Sequence, residues 1–199
     1  MFLHSCHISC SLGGGTGIAY ASAYPNQVQG LVLVDAVCLE VSKPLAAKLA
    51  DLPFLGNLLV KMVGLKTFEK FSRGSCYDPE HPQVKEFLQK QTRTASENPR
   101  FFASVRSSNG KCKGMVGSLE DEYRICCQAG VPIHLMWGKA DQSVPYENCL
   151  RMKEIATELG VTKLSEESFE NMPHNVMFPD AEPEKCSKSI LNFVQSNFD

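Results

Sequence analysis

The sequence predicts an α/β fold, a parallel sheet covered by helices on both faces and interrupted by a helical insertion, and three observations carry that reading. Leu31-Val32-Leu33-Val34 is a short apolar run without alternation, the pattern of a strand buried on both faces, as parallel strands are. The same kind of run returns at Ile133 to Trp137 after the breaker Gly130-Val131-Pro132, and both runs lie beside helix-compatible sequence, the grammar of βαβ units. Between them, from Leu39 to Gln128, leucines at helical spacing replace the strand pattern.

Taken in order, residues 2 to 8 read as a first strand, the small residues from Gly15 to Tyr24 as a helix, and Pro25-Asn26 as the turn that ends it. The insertion carries Leu45, Leu49, Leu52, Leu55, Leu58, Leu59 and Met62 on amphipathic stretches, is broken at Pro79 and Pro82, and resumes at Val84, Phe87 and Leu88. Lys43, Lys48, Lys61, Lys66 and Lys70 accompany its apolar face, a pattern shared by membrane-surface helices and by cap helices with solvated lysines. The cap reading is preferred. After the strand ending at Trp137, Tyr146 to Glu158 reads as a helix, Lys163 to Phe169 as a weaker strand, and Glu182 to Asn197 as a closing helix with Ile190, Leu191, Phe193 and Val194 on neighbouring faces. The expected organisation is a core of residues 1–38 and 129–199 with a helical cap at 39–128.

Composition narrows the function. At 199 residues the chain can bury one core. A net charge of −2 with interleaved signs gives no basic stripe for nucleic-acid phosphates, so nucleic acid is not an expected partner. No apolar run approaches the roughly 20 residues that span a bilayer, and Met1 to Ser5 lacks the charged and apolar regions of a secretory signal. The nine cysteines are scattered and lack paired C-x-x-C spacing, which suits buried thiols in a reducing, cytoplasmic setting rather than zinc. His4, Cys6, His7 and Cys10 are the densest ligand cluster, but a strand alternates its side chains between faces and cannot converge all four on one ion. No metal and no organic cofactor is expected.

The chemistry centres on Ser9-Cys10-Ser11-Leu12-Gly13. A small-x-nucleophile-x-small spacing describes a sharp strand-to-helix turn with a strained residue at its tip, and the following helix N-terminus aims peptide N–H groups at charge forming there. Ser11 is the candidate nucleophile. Cys10 is rejected because Ile8 and Leu12 would then occupy the flanking small positions. A serine hydroxyl needs a base and an orienting carboxylate. Asp141 in "WGKADQSVP" follows one strand directly, and His174 in "NMPHNVMFPD" lies between the last strand and the final helix, giving the order Ser, Asp, His with each residue just past a strand. Asp35, at the end of the Leu31 to Val34 strand, is a rival acid whose plainer role is a cap.

On these segments the chain resembles the α/β-hydrolases. "SCSLGGGTGIAYASAYPNQVQGLVLVDA" is similar to the family's elbow, helix and sixth strand, "VPIHLMWGKADQSVP" to its seventh strand and acid turn, and "MPHNVMFPDAEPEKCSKSILNFV" to its histidine loop and last helix. The resemblance implies that Ser11 is the nucleophile, Asp141 the acid and His174 the base, and that the Leu12 N–H is half of an oxyanion hole. It implies a small-molecule ester or related acyl substrate, handled through an acyl-enzyme, with thioester, amide and C–C bond hydrolysis left open. Dehalogenases and epoxide hydrolases of the family are disfavoured because they carry Asp at the elbow. Ser9 and Cys10 depart from the family's usual Gly and His. Only ten residues precede Ser11, whereas the family places four strands and the second oxyanion donor upstream, so a partial sheet with an exposed strand edge, open to association, is expected. A catalytically silent binding protein is the second reading.

Overall fold

In the computed structural model, residues 5–39, 55–111 and 118–198 are described. Four parallel strands, β1 (Ser5–Cys10), β2 (Val28–Val34), β3 (Ile133–Gly138) and β4 (Leu164–Phe169), form one sheet in the order β1-β2-β3-β4. Between them run α1 (Leu12–Ala23), then α2 (Leu55–Gly74), α3 (Pro82–Glu97), α4 (Phe101–Lys111) and α5 (Glu120–Gln128) after β2, α6 (Tyr146–Glu158) after β3, and α7 (Pro183–Phe198) after β4. The expected parallel sheet with helices inserted between β2 and β3 is therefore present. The expected first strand at 2–8 is strand over its described residues 5–8 and continues to Cys10, residues 2–4 lying outside the described residues. Leu45, Leu49 and Leu52 of the expected insertion helix lie outside the described residues.

The strands sort their side chains by parity, as period-two backbone must. Leu31, Leu33, Ile133, Leu135 and Trp137 face one way and pack with Ile18 and Ala21 of α1, Tyr123 of α5 and Met152 and Ile155 of α6. Val32, Val34 and Met136 face the other way and pack with Phe193 of α7 and with Met172 and Val176 of the loop before it. β2 and β3 are buried along both faces, which explains their unbroken apolar runs. Among the described residues the polar, Cys- and His-containing β1 pairs with β2, and Ile8 on it is 54% exposed.

The glycine run after Ser11 lets α1 lie against the sheet. A Cβ on Gly14 would come 2.3 Å from Ala36 Cβ, and one on Gly15 would come 2.6 Å from the Val37 carbonyl oxygen. The tight positions are therefore Gly14 and Gly15, facing the chain as it leaves β2. At Gly13, which the elbow spacing marks as obligatorily small, nothing described lies within 4 Å of a Cβ. Among the described residues no helix is long and apolar enough to cross a membrane.

The opposite face carries a polar tie. His134 of β3 is buried, bonded through Nδ1 to Ser165 Oγ of β4 (2.8 Å) and through Nε2 to Ser189 Oγ of α7 (2.9 Å), and stacked on Phe193. Burial lowers its pKa against the raising effects of Ser165, Glu167 and Glu166.

Two outcomes check this packing. Gly14→Ala should lower stability by about 1–3 kcal/mol in urea unfolding through overpacking, while Gly13→Ala should stay within about 0.5 kcal/mol of wild type; equal effects would contradict the placement of α1. The folded state favours neutral His134, so the ring's contribution is full above its unfolded pKa of about 6.5 and is lost as pH falls through its lower folded pKa. The stability loss between about pH 7 and about pH 5 should accordingly shrink in His134→Gln.

Candidate active site

Parallel strands all point their C-terminal ends the same way, and the loops that leave those ends meet in one place. Ser11 leaves β1, Asp35 leaves β2, Asp141 leaves β3, and His174 follows β4. Cys10 is opposite Val34, and Val34 is opposite Met136, so β1 and β2 end level and β3 runs two residues further, to Gly138.

Ser11 occupies the turn between β1 and α1 with φ 52° and ψ −125°. For a non-glycine residue this is sparsely populated backbone that persists only where the surroundings impose it. Here they do: the Ser11 N–H donates to Val34 O (2.9 Å), and Ser11 O accepts from the N–H groups of Val37 (2.9 Å) and Gly14 (2.9 Å). The turn is clamped to the end of β2, and the hydroxyl is presented above the sheet edge. Leu12 is the first residue of α1, where a helix leaves its leading N–H groups without intrahelical acceptors.

The three sequence-predicted side chains are brought together. The Asp141 carboxylate accepts from His174 Nδ1 at 2.7 Å, and His174 Nε2 lies 2.8 Å from Ser11 Oγ. Because an ionised carboxylate only accepts, the proton between Asp141 and the ring belongs to Nδ1, which leaves the Nε2 lone pair to accept the Ser11 O–H. Asp141 and His174 are buried. Asp141 Oδ1 is held in turn by the N–H groups of Ser143 (2.7 Å) and Val144 (2.9 Å), an Asx turn, and Trp137 Nε1–H donates to the Val144 carbonyl. The "ADQSV" spacing carried the signal for those two amide donors.

The histidine loop is fixed by its backbone. Ala140 N–H donates to Met172 O, and Lys139 N–H to Phe169 O. A Cβ on Gly138 would come 2.4 Å from the carbonyl oxygens of both Met172 and Pro173, so only glycine admits this close approach of β3 to the residues preceding His174. The loop also touches the helical insertion, through Asn175 N–H to Ser75 O (3.2 Å), Asp78 N–H to Asp180 Oδ2 (2.7 Å) and the edge-to-face pair Phe87 and Phe178. Nothing at the level of motifs marks these contacts with the insertion.

Asp35 is fully buried at φ 44° beside the same cluster. Its Oδ1 accepts from the Gly138 N–H at 2.9 Å, while the ring of His174 is bonded to Asp141. Burial holds its pKa well above the usual carboxylate range, Asp141 adds to the rise, and the N–H groups of Gly138 and Val176 oppose it. Although Cys10 is exposed as a residue, desolvation pushes its thiol up to about 11, with Asp35 and Asp141 adding to the effect. It stays un-ionised at neutral pH and is a weak nucleophile there. Among the described residues, Asp35, Asp141 and His174 are the grouping whose ligand atoms lie within 4.8 Å of one another. Both ring nitrogens of His174 are already engaged, and a cation would have to break the bond to Asp141.

No protein-family model matches the chain. It is similar to Lipase 3 from Moraxella sp. (strain TA144), at 25% identity over 163 residues, covering 78% of this chain and 47% of the relative. Among solved structures it is similar to 2-hydroxy-6-oxo-6-phenylhexa-2,4-dienoate hydrolase (BphD) from Rhodococcus sp. strain RHA1, with a TM-score of 0.73, 14% identity, and coverage of 98% of this chain and 65% of that one. It is also similar to the meta-cleavage product hydrolase CumD from Pseudomonas fluorescens IP01, with a TM-score of 0.71, 17% identity, and coverage of 98% and 66%. The chain thus spans about half the length of the curated relative and about two thirds of these structures. Since the likeness runs through nearly all of its own length, sheet and helices together, the chain has the α/β-hydrolase fold.

Proposed function

We propose that the protein is a serine hydrolase that cleaves esters or related acyl bonds through an acyl-enzyme. The observation that carries this reading is the unbroken hydrogen-bond chain from Ser11 through His174 to Asp141, with Ser11 held in strained backbone at a helix N-terminus. Likeness to a lipase and to two hydrolases supports the reaction class.

The steps follow from the geometry. Ser11 Oγ attacks the acyl carbon as its proton passes to His174 Nε2, and the ring, now an imidazolium, is stabilised by Asp141. The tetrahedral oxyanion takes a hydrogen bond from the Leu12 N–H at the head of α1. Collapse of the intermediate breaks the bond to the leaving group, which receives the proton from Nε2–H. Water then attacks the acyl-serine with His174 as base, and the acid is released with Ser11 regenerated. The inserted helices serve as a cap over this edge, in keeping with their contacts to the histidine loop. These steps call on side chains and backbone amides of the chain itself.

Two results test the assignment. A fluorophosphonate probe should label Ser11, and both Ser11→Ala and His174→Ala should abolish labelling; a label on another residue in peptide mass spectrometry would overturn the nucleophile. Asp141→Asn should lower p-nitrophenyl ester turnover by about four powers of ten, as loss of an orienting carboxylate does in other triads, whereas Asp35→Asn should keep most activity. The reverse pattern would make Asp35 the acid.

A further inference from the structure

Asp35 and Asp141 set an electrostatic problem that the hydrolytic steps leave open. Both carboxyl groups are buried, and their ligand atoms lie within 4.8 Å of each other and of His174. Two ionised carboxylates at that spacing, away from water, repel strongly, and the usual resolution is that one keeps its proton. Donors decide which. Asp141 receives three: the His174 Nδ1–H on Oδ2 and the Ser143 and Val144 N–H groups on Oδ1. Among the described residues Asp35 has one hydrogen bond, from the Gly138 N–H to Oδ1, while Oδ2 is buried and makes none. Hydrogen bonds to the charged form favour ionisation, so the charge belongs on Asp141.

We infer that Asp35 is a positioning residue that remains a neutral carboxylic acid while Asp141 is ionised, so that a single negative charge faces His174. Through the Gly138 N–H the neutral carboxyl ties the end of β2 to the end of β3, beside Asp141 and His174. The other titratable groups around it are the thiols of Cys10 on β1, Cys149 on α6 and Cys186 on α7, all raised mainly by burial and un-ionised at neutral pH. Its shift above the usual carboxylate range has the same direction.

The protonation state can be read without turnover. In protein labelled with 13C-aspartate, the Asp35 carboxyl signal, assigned by triple-resonance NMR, should stay at its protonated position through neutral pH. The His174 ring should titrate at the same midpoint in Asp35→Asn, within about 0.3 unit, because no charge is removed. Were Asp35 ionised, its signal would titrate in the ordinary carboxylate range, and Asp35→Asn would lower the His174 midpoint by about 1 unit or more; either result overturns the inference. The labelled wild-type chain answers even if the variant does not fold. The positioning role rests on the proposed hydrolase reading and has a kinetic test: Asp35→Ala should lower kcat about tenfold with little change in KM, and Asp35→Asn should restore it. Unchanged kcat in Asp35→Ala would remove the positioning role. A chain that hydrolyses no ester, yet shows the protonated signal, would sink the hydrolase reading and leave the charge assignment standing.

Discussion

Parallel pairing of β1, β2 and β3 in a fixed register is the constraint on which the site depends. Cys10 opposite Val34 sets Ser11 beside Asp35, and β3 runs two residues past Met136, the partner of Val34, to Gly138, whose N–H meets Asp35 before the turn to Asp141. A one-residue slip would exchange the two faces of a strand, moving Leu31 and Leu33 out of one core and Val32 and Val34 out of the other. Burial of both faces therefore fixes the register, and the register fixes the distances between side chains far apart in sequence. The apolar runs that reveal the fold are also what align the chemistry.

Two local devices complete that alignment, each spending backbone freedom. At Ser11 the strained φ is enforced by three main-chain hydrogen bonds to β2, its exit and α1. At Gly138 the lack of a Cβ allows Met172 and Pro173 to approach β3 and deliver His174 to Asp141. The Ser11 turn depends on α1 lying against the sheet, and the contacts of Gly14 and Gly15 against Ala36 and Val37 bring it in. Order therefore passes from glycine packing to backbone geometry and then to the hydrogen-bond chain.

Much of this was legible in the residues, for physical reasons that differ by element. β2 and β3 announce themselves because double burial demands continuous Val, Leu and Ile, and Asp141 could be placed because it follows such a strand, whereas Ser11 was marked by the elbow spacing and His174 by its position before the final helix. The elbow spacing was a less accurate guide to sterics: Ser9 does pack on Gly17, but the closest approaches are at Gly14 and Gly15, and Gly13 meets nothing. The polar "HSCHISC" gave a weaker strand signal than β2 or β3, and β1 is the outermost strand of the sheet among the described residues. His134 gave no signal beyond ordinary packing, since its partners Ser165 and Ser189 lie 31 and 55 residues away. Asp35 was recognisable as an acid at a strand end, but its hydrogen bond to Gly138 and its shared burial with Asp141 follow from the sheet order alone.

The central claim, that Ser11, His174 and the N-terminus of α1 act together on an acyl group, is tested most directly by a crystal structure of the protein after reaction with a fluorophosphonate. The account predicts phosphorus bonded to Ser11 Oγ, His174 still bonded to Asp141, and the phosphoryl oxygen within about 3 Å of the Leu12 backbone nitrogen. An adduct on another side chain, or a phosphoryl oxygen turned away from α1, would contradict it.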